Sequence, residues 1–328
     1  MMKNKKWIIP ILLFAFLSTG LPSLIAENAN YRLNLIKRFF SIGTATINGT
    51  YYPVGNSIAR TLSKNLKNLV FIAEPTEGSV ANVEYLRKNQ IDLALMQSDI
   101  AWQAAKGVGT FVDNSFKELR VLSSLYSEVV QIVVKSSSSI KTIADLKGCK
   151  ISVGSKESGS AVNATQVLAA AGLQPGDYEL VYERFTRATE SLRDGYVDAV
   201  YYTGAVPADG ISRLAARIEL RFVEIPAEAQ QRLVKEYPYF SGETIQAGSY
   251  RGQINPCNTI GLRALLVATE NLSDNHANDF LRIIYQNSSL IATQNNSSLQ
   301  FRREDHQKGV EPEMLHSGAR KFFSAGKK

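Results

Sequence analysis

Residues 41–53 and 152–160 carry one pattern twice: a short strand-forming run, a loop of small residues, and the opening of a helix. The first copy runs from Ser41-Ile42-Gly43 to Gly49-Thr50-Tyr51-Tyr52-Pro53. The second runs from Ser152-Val153-Gly154 to Ser158-Gly159-Ser160. Each is followed by a second matching pair, Leu86-Arg87 with Ile91-Asp92 and Leu192-Arg193 with Val197-Asp198. A chain that repeats strand, loop and helix in this way builds two similar α/β lobes. A loop before a helix presents amide N–H groups that lack intrahelical acceptors, at the positive end of the helix dipole. Two such loops facing each other would hold a small anion between them.

The rest of the chain fits that frame. Val54, Ile58, Leu62 and Leu66 recur every four residues, which predicts a helix from Pro53, a residue suited to a first turn. Strands are predicted at 39–43, 69–73 and 91–96. A helix with Val80, Val83 and Leu86 inward has Ser79 as its candidate N-cap, and the next helix spans 100–105. The β-rich stretch 119–134 is longer than one lobe needs and reads as a crossing into the second lobe. There, strands at 151–154, 178–182 and 197–202 alternate with helices at 140–146, 161–171 and 188–194, and a further helix ends near Ala216. Residues 218–225 read as a strand, 237–253 as loop, and 259–268 as a strand pair returning to the first lobe. A helix over 273–292 and a short one over 319–323 close the chain. Two crossings make a hinge, which suits a clamshell closing on a ligand.

The 328 residues, 45% hydrophobic and 20% charged, suffice for two cores. Lys3, Lys5 and Lys6, followed by an apolar run over 7–17 and small residues up to Ala26, read as a signal peptide cut near Ala26, with a retained anchor as the alternative. Those lysines account for three of the +7 formal charge, leaving a mildly basic chain with no basic run. That speaks against nucleic acid. Cys149 and Cys257, in an exported chain, either pair or stay free. His276, His306 and His316 are far apart in sequence and read as surface residues, and no metal or cofactor motif is present. Ser138 and Lys141 satisfy a Ser-x-x-Lys pattern without its companion motifs, so the chain is read as a binder with no catalytic residue rather than an enzyme.

The candidate ligand residues follow from the paired loops and strand tips. Thr46, Asn48, Gly49, Thr50, Tyr51 and Tyr52 come from the first loop, and Ser158, Gly159 and Ser160 from its counterpart. Glycine lets backbone approach closely, hydroxyls donate, and tyrosine adds an apolar wall with a polar tip. Ser79 joins them, as do the strand tips Gln97, Ser98 and Asp99 in one lobe and Tyr202, Thr203 and Gly204 in the other. Asp99 serves either the ligand or its own helix start. Glu77 either supports a helix start or meets a cation, and Arg184 and Arg187 either face solvent or pair a second carboxylate.

Residues 49–55, Glu77-Gly78-Ser79-Val80-Ala81-Asn82, residues 91–99 and residues 146–160 together resemble the TAXI family of solute-binding proteins. Tyr202-Thr203-Gly204-Ala205-Val206-Pro207 and the stretches at 311–312 and 316–319 are similar too. The resemblance implies a two-lobed periplasmic binding protein fold, type II-like. Each lobe would be a mostly parallel sheet flanked by helices, with two crossing strands as hinge. Lobe one would span 27–127 and 258–328 and lobe two 128–257, after a signal peptide at 1–26. It also implies a monomeric periplasmic protein that needs no cofactor. Such a protein captures a small organic acid or amino acid, in the glutamate, glutamine or 2-oxoacid class, for the membrane permease of a TRAP transporter. An exported sensor or surface antigen on the same fold is the alternative, and a periplasmic enzyme a further one. Three positions depart from the family pattern, Asn48 for a usual Gly, Glu77 for a common Gly and Ala161 for a frequent Thr, and all three fall at the inferred cleft.

Overall fold

The computed structural model describes residues 38–294 and 299–325, so the signal peptide expected over 1–26 lies outside the described residues. In chain order the first lobe opens with β1 (Arg38–Gly43), α1 (Tyr51–Asn65), β2 (Leu69–Glu74), α2 (Ser79–Arg87), β3 (Leu93–Gln97) and α3 (Ser98–Lys106). The long β4 (Leu119–Lys135) follows. The second lobe is β5 (Lys150–Gly154), α4 (Gly159–Ala170), β6 (Glu179–Tyr182), α5 (Phe185–Asp194), β7 (Ala199–Gly204), α6 (Asp209–Ala215), β8 (Leu220–Phe222), α7 (Ala227–Glu236) and β9 (Ser241–Ile245). The chain returns through β10 (Cys257–Thr269) to α8 (Asp274–Gln286), α9 (Ser288–Thr293) and α10 (Ser317–Ala325).

Within each lobe the strands joined by helices are parallel, β1 with β3 and β5 with β6 and β7. The two long strands are antiparallel to each other and run through both halves of the sheet, whose order is β2-β1-β3-β10-β4-β7-β5-β6. One end of β4 and β10 extends the first lobe, where β10 pairs with β3, and the other end of β4 pairs with β7. Register shifts near Ala264 and Leu266 interrupt the β4–β10 ladder, a bulged geometry that increases local bend and twist.

Alternation along these strands explains why helices cover both faces. Leu93 and Leu95 pack with Ile58, Leu62 and Phe280, while Ala94 and Met96 pack with Val83, Leu86 and Ile100. In the second lobe Val130 and Ile132 join Ala164 and Leu168, and Val129 and Val133 join Ala188 and Leu192. Strands buried on both faces read as continuous apolar runs.

The sequence repeat has a structural cause. Asp92 accepts from the Ser41 backbone N–H at 2.8 Å, and Asp198 accepts from the Lys150 N–H at the same distance. In each lobe this aspartate ties the approach to the last parallel strand to the first strand, and the leucine six positions earlier, Leu86 or Leu192, is buried.

Several expectations are corrected. Residues 257–269 form one strand, not a pair, and 237–253 contains β9, which is stabilised by pairing with β10. The helix expected over 273–292 breaks at Asn287 into α8 and α9. Strand β8 keeps only three residues, and Phe39 in β1 is exposed. Cys149 and Cys257 are free thiols. His316 is buried, its ring bonded to the Leu272 carbonyl and accepting from the Gly318 N–H. Ser138 bonds the Ile140 N–H, and the Lys141 N–H is held by Asp145, so the Ser-x-x-Lys pattern forms a local turn.

Candidate functional site

Four helices begin at one cavity of about 70 Å³. Thr50 and Tyr51 bring the start of α1, Gly78 and Ser79 that of α2, Ser158 to Ser160 that of α4, and Phe185 that of α5. Each helix has at least nine residues and directs the positive end of its dipole at the cavity. No lysine, arginine, histidine or cysteine is among the lining residues.

The local chain geometry sets these starts. The Gly49 N–H bonds the Thr46 carbonyl at 2.8 Å, closing a tight turn that leads into α1. That helix opens at Tyr51, two residues before Pro53. Gly78, not Ser79, caps α2, with φ of 120°. Ser79 instead accepts the Gln97 N–H at 3.1 Å, joining α2 to the tip of β3. Ser158 caps α4 by accepting from the Ala161 N–H at 3.2 Å.

Of the residues expected at the ligand, Thr46, Gly49, Thr50, Tyr51, Ser79 and Gln97 line the cavity from the first lobe. Ser158, Gly159, Ser160, Tyr202 and Thr203 line it from the second. Asn48 lies at a neighbouring hollow with Pro53 and Asp209, and Tyr52 is half-buried away from the cavity. Ser98 is buried and accepts the Arg263 N–H at 3.1 Å, while Gly204 pairs with Val129 in the sheet. Asp99 is fully buried and does not line the cavity.

The lobes meet around this cavity through polar contacts. Asn163 on α4 donates to Gln97 Oε1 at 3.1 Å and to Asp99 Oδ2 at 3.2 Å. Its own Oδ1 accepts from the Tyr201 and Thr203 hydroxyls, both at 2.9 Å, so one amide joins the two strand tips. Thr50 Oγ1 and the Tyr202 hydroxyl lie 3.1 Å apart, and the Glu157 carbonyl accepts from the Val80 N–H at 3.1 Å. Glu77 meets Arg184 at 2.5 Å across the same gap, which resolves both residues' alternatives as an ion pair. Arg184 holds the Glu77 carboxyl below its ordinary pKa.

Sequence reasoning missed Glu128 and Phe185. Phe185 stacks on Tyr202 with ring centroids 3.9 Å apart, walling one side. Glu128 lines the cavity from β4, 2% exposed, and accepts from the Tyr51 hydroxyl at 2.6 Å. Burial pushes its pKa up to about 8. The signal was present in the chain: a single acid inside the apolar run of β4. Among the described residues no three His, Cys, Asp or Glu side chains group as a metal ion needs.

A family model described as the NMT1-like family matches residues 42–325, nearly the whole described chain. The chain belongs to the NMT1-like family. Solved structures resemble this NMT1-like protein at low identity. A Xanthomonas citri protein bound to ATP superposes with a TM-score of 0.50 at 10% identity, covering 88% of this chain and 94% of its own. The alkanesulfonate-binding protein SsuA from Xanthomonas axonopodis pv. citri, bound to MOPS, gives 0.46 at 16% identity, with 87% and 83% covered. The periplasmic aliphatic sulphonate binding protein SsuA from Escherichia coli gives 0.46 at 17%, with 79% and 77% covered. At such identities the likeness concerns fold alone. The NMT1-like chain has the two-lobed α/β fold of type II periplasmic binding proteins.

Proposed function

We propose that this protein is the solute-binding component of a TRAP transporter, of the TAXI type. In this reading it is exported, its signal peptide is cut near Ala26, and it works as a monomer in the periplasm. Lobe one comprises residues 27–127 and 258–328, and lobe two 128–257. The lobes capture a small organic acid or amino acid of the glutamate, glutamine or 2-oxoacid class and present it to the membrane permease.

The observation that carries the reading is the convergence of four helix starts on one cavity with no cationic side chain in its lining. The first amides of α1, α4 and α5 and the hydroxyls of Thr50 and Ser158 are donors, and donors of this kind suit a carboxylate, whereas Val80 and Ala81 at the start of α2 already donate to the Glu157 carbonyl. Closure draws on contacts that exist only when both lobes are engaged, such as Thr50 to Tyr202 and Asn163 to Gln97. The TAXI resemblance of residues 49–55 and 91–99 supports the transporter class.

Native mass spectrometry of protein purified from its own periplasm tests this. A co-purified organic anion, released on denaturation and restoring the bound mass when added back, is the expected result. Failure of every small carboxylate in a thermal-shift panel to raise the melting temperature would sink the reading.

A further inference from the structure

Two acids line the cavity, and they differ in their partners: Glu77 is paired with Arg184, whereas Glu128 has no cation beside it. One carboxyl oxygen, Oε2, accepts from the Tyr51 hydroxyl. No hydrogen bond to Oε1 exists among the described residues, and the side chain lines the cavity while 2% exposed. The charged and titratable groups that face it come from five elements: Tyr51 on α1, Tyr126 beside it on β4, Tyr202 on β7, Asp99 on α3 and Arg263 on β10. Only Arg263 is cationic, and it is directed elsewhere, with Nε on the Ser124 hydroxyl and Nη2 3.8 Å from Asp305. A buried carboxylate with one neutral donor and no adjacent cation is costly, and protonation removes the cost. An anion seated at the helix starts would share a cavity of about 70 Å³ with Glu128 and oppose its ionisation further.

We propose that Glu128, carrying its proton, donates a hydrogen bond to an acceptor oxygen of the bound anion, so that the site takes carboxylates lacking an ammonium group in preference to amino acids. This rests on the solute-binding reading above and narrows its ligand class. Tyr51 acts as a positioning residue: it occupies Oε2 and leaves Oε1, with its proton, to the ligand. The anion and one proton then bind together. An ammonium group in place of the oxo oxygen would bring a donor against the donor on Oε1, and would be accommodated only by expelling that proton.

Isothermal calorimetry with two isosteric pairs, pyruvate with alanine and 2-oxoglutarate with glutamate, tests the assignment on the full mature protein. The oxo member of whichever pair binds is expected to bind at least about tenfold tighter. Its affinity is expected to fall about tenfold from about pH 7 to about pH 9, as one proton is lost from Glu128. Titrations in two buffers of different ionisation enthalpy read the same proton directly on the wild-type protein, with no variant needed. Glu128→Gln, which keeps a donor and cannot ionise, is expected to retain oxoacid binding within about threefold and lose the pH dependence. Tighter binding of the amino acid, with affinity rising as pH rises and lost in E128Q, overturns the proposal while leaving the solute-binding reading intact. Binding of neither pair, together with silence across the wider carboxylate panel, overturns both.

Discussion

Asp99 is a carboxyl with no solvent, held by Asn163 Nδ2, by the Ile100 N–H at 2.8 Å and by its own backbone N–H. Burial outweighs these donors and pushes its pKa up to about 7. In the unfolded chain the same group ionises near pH 4. Between those values the folded protein holds one more proton than the unfolded chain, so the carboxyl's neutral form is fully tolerated below about pH 4 and stability falls as pH rises toward about 7. Asp99→Asn is expected to remove this part of the slope, up to about 1.4 kcal/mol per pH unit, and to unfold later than wild type at about pH 8. Urea titrations at several pH values check it, and a variant that keeps the wild-type slope argues against a buried neutral acid. Asn163→Ala should act oppositely at all pH values. It strands Gln97, Asp99, Tyr201 and Thr203 at once, with an expected loss of about 2 kcal/mol or more in the same assay. Neither role was visible in the sequence, because Asp99 at a helix start looks like an ordinary dipole charge and Asn163 looks like one more polar helix residue.

At the level of elements, the periodic and apolar segments were legible and the context-dependent ones were not. Val54, Ile58 and Leu62 lie on the buried face of α1 as their spacing predicts, and the long run at 119–134 is one 17-residue strand. The duplicated loops open helices at a common cavity, as read from the repeat. Strand β9, Ser241–Ile245, carries a glycine and a glutamate and owes its conformation to its neighbour β10, so propensity gave no sign of it. In α7 only Ala229 and Leu233 are buried, too sparse a stripe to mark a helix. Gly261 on β10 has a role of the same hidden kind. A Cβ there would come within 2.6 Å of Glu243 Cγ and 2.8 Å of the Glu128 carbonyl, so the glycine allows the two long strands to approach. Gly261→Ala is therefore expected to destabilise the protein by about 1–3 kcal/mol in chemical denaturation. An unchanged midpoint would show that the β4–β10 contact yields without cost.

For the whole molecule, the question is how much each contact between lobes favours closure over separation. The buried hub at Asn163 and the exposed pair of Glu77 and Arg184 differ in kind. The Glu77 and Arg184 side chains are 36% and 66% exposed, so solvent and salt screen the pair and its contribution is small despite the short contact. The pair sits at the opening of α2 and α5, where Glu77 also stands against the positive end of the α2 dipole. Its geometry is available only when the lobes are together, so its worth should be read in ligand affinity rather than in stability to denaturant. Glu77→Ala and Arg184→Ala should each weaken binding about two- to threefold at low salt, and the double variant should weaken it no more than either alone. Raising ionic strength to about 1 M should erase the difference between all four proteins. If the single variants lower affinity additively, the two side chains act on the ligand separately, and closure depends on the buried amide, hydroxyl and backbone contacts alone.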